Sequence, residues 1–175
     1  MTRPPVIETE RLRLRAIGTS DVDELVAMQE HEEVSRFLGP IDRPYAEERL
    51  RVLEREWAER GIGMFAVLDA VTGRFRGRVG FKYWAQFEET EIGWVLRRDA
   101  WGHGYATEAA RACLDWGFAA EPRAYFTAMI HPDNSASLRV ASRRDMEPLR
   151  SDVLYDSPVI VHAVSGEGWS AHRSR

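Results

Sequence analysis

Residues 91–109 read EIGWVLRRDAWGHGYATEA, and the interpretation of the whole chain starts from them. The first six residues alternate between two faces, with Ile92 and Trp94 pointing the same way, as in a β-strand. Gly102 and Gly104 follow, and a helical pattern then runs to about residue 119. We therefore predict a strand, a tight turn and a helix whose first N–H groups and dipole attract an anion.

The two glycines do not identify the anion by themselves. A dinucleotide-binding turn needs a third small residue where Thr107 stands, and a phosphate-binding loop of the Walker type needs Gly-Lys-Ser/Thr, which is absent. A tight strand-to-helix connection without any ligand explains Gly102 and Gly104 equally well.

A second strand-to-helix loop has the sequence HPDNSAS at residues 131–137. Asn134 and Ser137 are three residues apart, so they share one face of a helix. Taken alone, this loop is best explained by Asn134 capping the helix while Ser137 faces solvent.

The remaining periodicity predicts a domain that mixes helices with strands. A capping box of Ser20 and Asp23 begins the first helix, and Pro44 begins a second helix that ends at Gly61. The predicted order βααβββαβαββ indicates an α/β (α+β) sheet with mixed pairing. The predicted strands are 11–17, 64–69, 75–84, 89–96, 124–130, 147–155 and 159–164. Of the last two helices, one is opened by the turn at 102–106 and runs to about 119, and the other is 134–144.

Composition restricts the class of protein. The 175 residues include 24 Lys and Arg against 28 Asp and Glu, which disfavours nucleic acid as a partner. The single cysteine, Cys113, excludes an internal disulfide and a cysteine-rich metal site, and its helix stripe predicts a buried, inert thiol. We find neither a signal peptide nor an apolar run of the ~18 residues that a membrane span needs, so we expect a cytoplasmic protein. One domain over 1–175 is expected, with loosely held ends at 1–5 and 165–175.

Together, the two loops and the opening ETERLRLR at residues 8–15 resemble the GNAT superfamily of N-acetyltransferases, and more narrowly its RimJ/RimL-like branch. The resemblance covers about residues 7–146. It implies a mixed, mostly antiparallel central sheet of about seven strands with four helices, splayed at the strands that flank an acetyl-CoA site. It also implies acetyl-CoA as cosubstrate, no metal, and an amine acceptor that is a peptide N-terminus or a small molecule. A homodimer is common in this family.

The resemblance further implies a cofactor site. The backbone at the end of the predicted strand would pair with the pantetheine arm, the N–H groups of residues 102–107 would hold the pyrophosphate, and Asn134 would bond the arm. Ser137 and Tyr155 would lie near the thioester sulfur. The implied cofactor-binding residues are Trp94, Val95, Leu96, Trp101, Gly102, His103, Gly104, Tyr105, Ala106, Thr107, Asn134, Ser137 and Arg143.

Two positions depart from the family pattern. His103 stands where a lysine or arginine is common between the two glycines, which weakens one phosphate contact or makes it sensitive to pH. Asp145 stands where the family usually has glycine. Because aspartate tolerates the left-handed region less well than glycine, we expect the end of that helix to differ.

The chemistry requires a neutral amine that attacks a thioester, and a thiolate leaving group that accepts a proton. Glu91 is the candidate general base, because an otherwise apolar strand would desolvate its carboxylate and raise its pKa. His131 is an alternative base, an exposed structural role for Glu91 is another interpretation, and Glu108 is expected only to complement the helix dipole. Two other classes remain: a non-catalytic acyl-CoA-binding module with the same fold, and a binder of a different diphosphate ligand.

Overall fold

One mixed β-sheet with helices on both faces forms the domain. The structure, a computed structural model, describes residues 4–120 and 125–173, with side chains described to residue 171. In this part of the chain the strands are β1 Ile7–Glu8, β2 Leu12–Ala16, β3 Met64–Asp69, β4 Phe75–Trp84, β5 Glu89–Leu96, β6 Tyr125–Ile130, β7 Glu147–Leu154 and β8 Ser157–Ser165. The helices are α1 Val22–Gln29, α2 Glu32–Ser35, α3 Arg43–Arg60, α4 Tyr105–Ala120, α5 Ser135–Arg143 and α6 Gly166–Arg173.

The sheet opens between β5 and β6. Its order is β1-β2-β3-β4-β5-β6-β8-β7, and β5 with β6 is the parallel pair among otherwise antiparallel neighbours in the described residues. These two strands share a single register pair, Glu91 with Thr127, whereas β4 and β5 pair along the whole length of β5. Beyond Glu91 the strands diverge, so the predicted splayed sheet is confirmed.

Apolar side chains cover both faces of the sheet. On one face, α4 packs closely because a β-carbon at Gly117 would lie only 2.5 Å from Cζ of Phe81. The predicted stripe of α4 is buried there, including Cys113 and Leu114. On the other face, α1 and α3 cover β3 and β4, and Leu50 of α3 is fully buried.

The chain has more elements than its local patterns indicate. The described residues form eight strands and six helices, against about seven and four predicted, because β1, α2 and α6 add short pieces. The prediction of a loosely held end from residue 165 is wrong over 165–173. Ser165 ends β8, and Trp169 of α6 is 2% exposed and donates from Nε1 to Oδ1 of Asp115 at 3.0 Å. Residues 1–3, 121–124 and 174–175 lie outside the described residues, so the predicted start of β6 at Ala124 does too.

The first helix is not capped as predicted. Asp21, rather than the Ser20 and Asp23 pair, accepts from the N–H of Gly18 at 3.0 Å, and it is buried in a two-bond contact with Arg15. Asp23 instead pairs with Arg43 on the surface. Asp21 makes no side-chain bond to the N–H groups of α1 itself; it holds the short turn at residues 19–21 that leads into the helix.

The end of α5 also corrects an expectation. Asp145 adopts the left-handed region with φ of +52°, and the N–H of Met146 donates to the carbonyl of Ala141 at 3.0 Å. The helix therefore ends as a glycine-terminated helix would, and the aspartate accepts the unfavourable backbone conformation.

Candidate functional site

A cavity of about 630 Å³ lies where β5 separates from β6. Its walls come from the end of β5, the start of α4, one face of α5, and α2 with the loop that follows it. All the predicted cofactor-binding residues except His103 line it. Elements far apart in the sequence thus meet at the opening of the sheet, and the two loops singled out in the sequence face each other across it.

The loop before α4 presents a row of free backbone donors. Gly102 and Gly104 both have φ of +79°, a left-handed conformation that glycine adopts without strain. In the described part of the chain the N–H groups of residues 102–107 donate to no protein acceptor. Six such donors at a helix N-terminus form a concave site for an anion.

The side chains of Thr9, Arg11 and Glu108 hold this loop in place. Arg11 donates from Nη1 to the carbonyl of His103 at 2.8 Å and from Nε to Oε2 of Glu108 at 2.7 Å. Thr9 donates from Oγ1 to Oε1 of Glu108 at 2.6 Å, and the N–H of Arg11 reaches the same oxygen at 3.0 Å. The bond from Arg11 fixes the loop at the His103 carbonyl, and the neighbouring N–H groups stay available to a ligand.

The role of Glu108 was missed by the sequence analysis, which assigned it only to the helix dipole. Burial alone would raise its pKa, but the hydrogen bonds from Thr9 and Arg11 outweigh burial and hold the pKa below its usual value. The signal was present in the opening ETER at residues 8–11, whose threonine and arginine are the two partners.

The α5 loop combines capping with a place in the cavity. Oδ1 of Asn134 accepts from the N–H of Ser137 at 3.1 Å, so the predicted cap is confirmed. Oγ of Ser137 accepts from Nε1 of Trp94 at 3.3 Å, which orients the hydroxyl and leaves its proton available. Ser137 is therefore partly buried against β5 and does not face open solvent.

The end of β5 has a free edge on the side of the cavity. Past Glu91 this strand has no register partner in β6. One backbone group on this edge, the carbonyl of Leu96, already accepts a hydrogen bond from Nε1 of Trp101 at 3.0 Å. An extended ligand entering here can pair with the backbone as an added strand does, at Trp94 and Val95 more freely than at Leu96.

A further part of the wall comes from α2 and the loop after it. Val34, Phe37 and Leu38, from α2 and the loop after it, close the cavity opposite β5. Arg139 lines it too, four residues before Arg143 and so on the same face of α5, a spacing that could have identified it. Arg98, which also lines the cavity, ties this wall to the loop after β5 through Nε and Oε2 of Glu33 at 2.6 Å.

Glu91 lies at the point where the two strands part. Oε2 accepts from Nε1 of Trp84 at 2.7 Å, and Oε1 accepts from the N–H of Met129 on β6 at 3.3 Å. Burial raises the pKa of this carboxyl, while those two hydrogen bonds and the charges of Lys82 and Arg78 act in the opposite direction. A carboxylate whose pKa is raised toward neutrality is suited to accept a proton.

Tyr155 is not where the resemblance implied. It lies in the turn between β7 and β8, is 78% exposed and does not line the cavity that holds Ser137. Its ring instead stands edge-on to Trp84 at 5.7 Å between centroids. The expected position near the thioester sulfur is thus corrected, since the hairpin directs Tyr155 toward Trp84.

Two histidines also take structural positions. His103 is exposed, does not line the cavity and stacks on Tyr105 at 5.5 Å between ring centroids. His131 packs against Phe37 at 5.1 Å, and its Nδ1 accepts from the N–H of Asp133 at 3.1 Å. Glu91 is the better placed of the predicted bases, because its carboxylate lies at the point where β5 and β6 part and is oriented there by Trp84 and by the N–H of Met129.

Other chemistries find less support in the residues described. The thiol of Cys113 is fully buried, and burial raises its pKa far above the usual value, so it is not a nucleophile. Among the described residues no three His, Cys, Asp or Glu side chains gather so that they could hold a metal ion. No helix in residues 4–120 or 125–173 combines the length and apolar character needed to cross a membrane.

The chain matches known proteins both by a family profile and by sequence identity. The profile of the family described as "Acetyltransferase (GNAT) domain" matches residues 11–147. The Bacillus subtilis protein called "Uncharacterized protein YkkB" is 32% identical over 158 residues, which cover 88% of this chain and 92% of that protein.

Solved structures share the fold. An acetyltransferase from Agrobacterium tumefaciens superposes with a TM-score of 0.82 at 27% identity, over 94% of this chain and 96% of its own. A RimL ribosomal-protein alpha-N-acetyltransferase in complex with coenzyme A gives a TM-score of 0.77 at 16% identity, over 94% and 99% of the two chains. At that identity the second likeness concerns the fold alone.

Proposed function

Because this chain belongs to the GNAT acetyltransferase family, we propose that it transfers an acetyl group from acetyl-CoA to a primary amine by direct attack on the thioester. The main support is the row of six free N–H groups at residues 102–107, which opens onto a free strand edge that leads to Glu91. A diphosphate and an extended arm with amide groups are the ligand features that such a surface accepts.

The residues present fit coenzyme A. The loop at 102–107 would hold the pyrophosphate, and the edge of Trp94 and Val95 would pair with the pantetheine arm. Arg139 and Arg143 on one face of α5, together with Arg98 across the cavity, add positive charge that suits a polyanionic ligand. The amide nitrogen of Asn134 is directed by the cap and has no protein partner in the described residues, so it can donate to the arm.

In this proposal the protein's own groups handle two protons. Glu91, directly or through a water molecule, accepts the proton that the amine loses as its nitrogen attacks the thioester carbonyl. As the carbon–sulfur bond breaks, the departing thiolate takes a proton through Ser137, whose oxygen Trp94 holds. The serine regains that proton from water and Glu91 releases the amine proton to water, so that one proton moves from the amine to the thiolate overall. Bound acetyl-CoA supplies the activated acyl group.

The acceptor is either a protein N-terminus or a small-molecule amine. The likeness to RimL, which acts on a ribosomal protein, supports the first class through the fold only. The RimJ/RimL-like branch is part of this proposal, supported by the opening at residues 8–15 and its contacts with Glu108.

A screen of amines and peptide N-termini, read by release of free CoA, tests the proposed function. We expect at least one class of primary amine to give turnover that depends on acetyl-CoA, with an N-acetylated product found by mass spectrometry. Tight binding of acetyl-CoA without turnover of any amine would favour the non-catalytic module instead. Stronger stabilisation by a nucleotide than by CoA in a thermal-shift comparison would favour a different diphosphate ligand.

Glu108→Gln is expected to weaken acetyl-CoA binding by about tenfold, because the loss of charge-assisted bonds to Arg11 loosens the loop at 102–107. Isothermal titration calorimetry measures the change, and Glu48→Gln on the exposed face of α3 is the control. The pKa of Glu108 is lowered by folding, so its contribution is present above the unfolded-state pKa and is lost as pH falls through the folded-state pKa. Equal affinities for Glu108→Gln and the wild type would contradict this role.

A further inference from the structure

A second group of charged side chains lies on the face of the sheet opposite α4. Arg78 and Lys82 project from β4 on this face, since they alternate with Phe81, which packs against α4. Arg49 of α3 lies close enough for its charge to act on both, lowering their pKa values. Three cations thus converge between α3 and the middle of the sheet.

These cations have no anionic partner in the part of the chain that the structure describes. The polar contact of Arg78 is Sδ of Met64 at 3.9 Å, and Nζ of Lys82 lies 3.5 Å from the centre of the Trp84 ring. Burial lowers the pKa of Arg78 to about 10 and that of Lys82 to about 8. Arg78 and Lys82 are both half-buried, and a partly desolvated cation without a counter-ion is costly, so such a cluster favours a site that receives an anion.

The space next to the cluster is open. On this face of β5, Gly93 lies between Glu91 and Val95, and a β-carbon added to it would meet no atom within 4 Å. Arg78 is the register partner of Val95, and Lys82 is the register partner of Glu91. The backbone at Gly93 is therefore the floor of a recess. The carboxylate of Glu91 lies at one end of this recess, and Arg78 and Lys82 lie along its side.

The charges around the recess indicate what kind of anion fits. Two carboxylates, Glu56 of α3 and Glu91, interact electrostatically with Lys82, but neither forms an ion pair with it in the described residues. Three cations against two carboxylates leave one positive charge unmatched. A single carboxylate matches that balance, whereas a dianionic phosphate would also be repelled by Glu56 and Glu91.

We propose that this recess selects acceptors that carry a carboxylate, which lies against Arg78 and Lys82 while the amine to be acetylated faces Glu91. The inference rests on the proposed acetyl transfer, because it assigns the acceptor of that same reaction. The carboxylate belongs to a free amino acid or to an acidic side chain near a peptide N-terminus, and the two sources share this chemistry.

Matched acceptor pairs test the proposal on the full-length protein. One arm compares free amino acids with their amides, and the other compares peptides that begin with glutamate or aspartate with those that begin with glutamine or asparagine. In at least one arm we expect the carboxylate to raise kcat/KM by about tenfold or more, mainly through KM. A larger effect in the first arm identifies free amino acids, and one in the second identifies acidic N-termini.

Arg78→Met is expected to remove most of this preference, so that the ratio of kcat/KM within each matched pair falls toward one. Loss of the Arg78 charge also acts on Glu91, but that effect is common to both members of a pair and cancels in the ratio. Lys82→Met is the second variant should Arg78→Met fold poorly, and Arg51→Met, on the exposed side of α3, is the control. The inference would be overturned if the wild type prefers uncharged or cationic amines. It would also be overturned if the variant lowers kcat/KM equally for both members of each pair. If no amine is turned over at all, the acetyl transfer itself fails, which is a distinguishable result.

Discussion

Replacing Glu91 with glutamine is expected to lower kcat by about a hundredfold to ten-thousandfold, the range that a general base contributes. The reason is local: both carboxylate oxygens of Glu91 are held, by Trp84 and by the N–H of Met129, at the point where β5 and β6 part. Glutamine keeps the shape and one acceptor oxygen, so acetyl-CoA binding is expected to stay near that of the wild type. Stopped-flow release of CoA and calorimetry measure the two quantities.

The pH profile makes this prediction sharper. Because burial raises the pKa of Glu91, the rate of the wild type should rise with pH as this carboxyl loses its proton, and Glu91→Gln should lack that limb. Glu88→Gln is a matched control, since Glu88 is exposed in the neighbouring turn before β5 and lies outside the site. A wild-type rate and pH profile in Glu91→Gln would show that another group, or water alone, accepts the proton.

The parts of the site that the sequence predicted are those with local causes. The alternation over 91–96 and the two glycines at 102 and 104 predicted a strand, a turn and a helix, and the structure has all three. Asn134 was expected to cap a helix, and it does. Each of these features depends on backbone conformation within a few residues, which residue type and spacing restrict directly.

The parts that were missed depend on contacts between distant segments. Glu108 bonds to Thr9 and Arg11 across almost a hundred positions of sequence, and no periodicity within α4 indicates such a contact. Tyr155 was expected near Ser137 only by analogy, and the register of the β7–β8 hairpin takes it to Trp84 instead. Trp169 anchors α6 although its neighbours are polar, because burying one large ring stabilises a short helix that has little propensity of its own.

Gly104→Leu is expected to weaken acetyl-CoA binding by about a hundredfold or more, since at least two backbone bonds to a charged pyrophosphate would be lost. The folded protein has room for a β-carbon here, whose nearest neighbour would be Nη2 of Arg11 at 3.5 Å. The effect is therefore expected to come from the side chain standing in the ligand's space and from strain at φ of +79°. Calorimetry with acetyl-CoA and with CoA measures it.

Gly73→Leu separates these two causes. Gly73 has φ of +71° in the β3–β4 turn, and a β-carbon there would meet no atom within 4 Å. Both variants should lose about 1–2 kcal/mol of stability through the left-handed backbone, as thermal or urea unfolding would show. Only Gly104→Leu should lose affinity for the cosubstrate, because only Gly104 belongs to the row of free N–H groups at 102–107. Affinity that falls equally in both variants would mean that backbone strain, rather than contact with phosphate, explains the loss, and affinity retained in Gly104→Leu would place the pyrophosphate elsewhere.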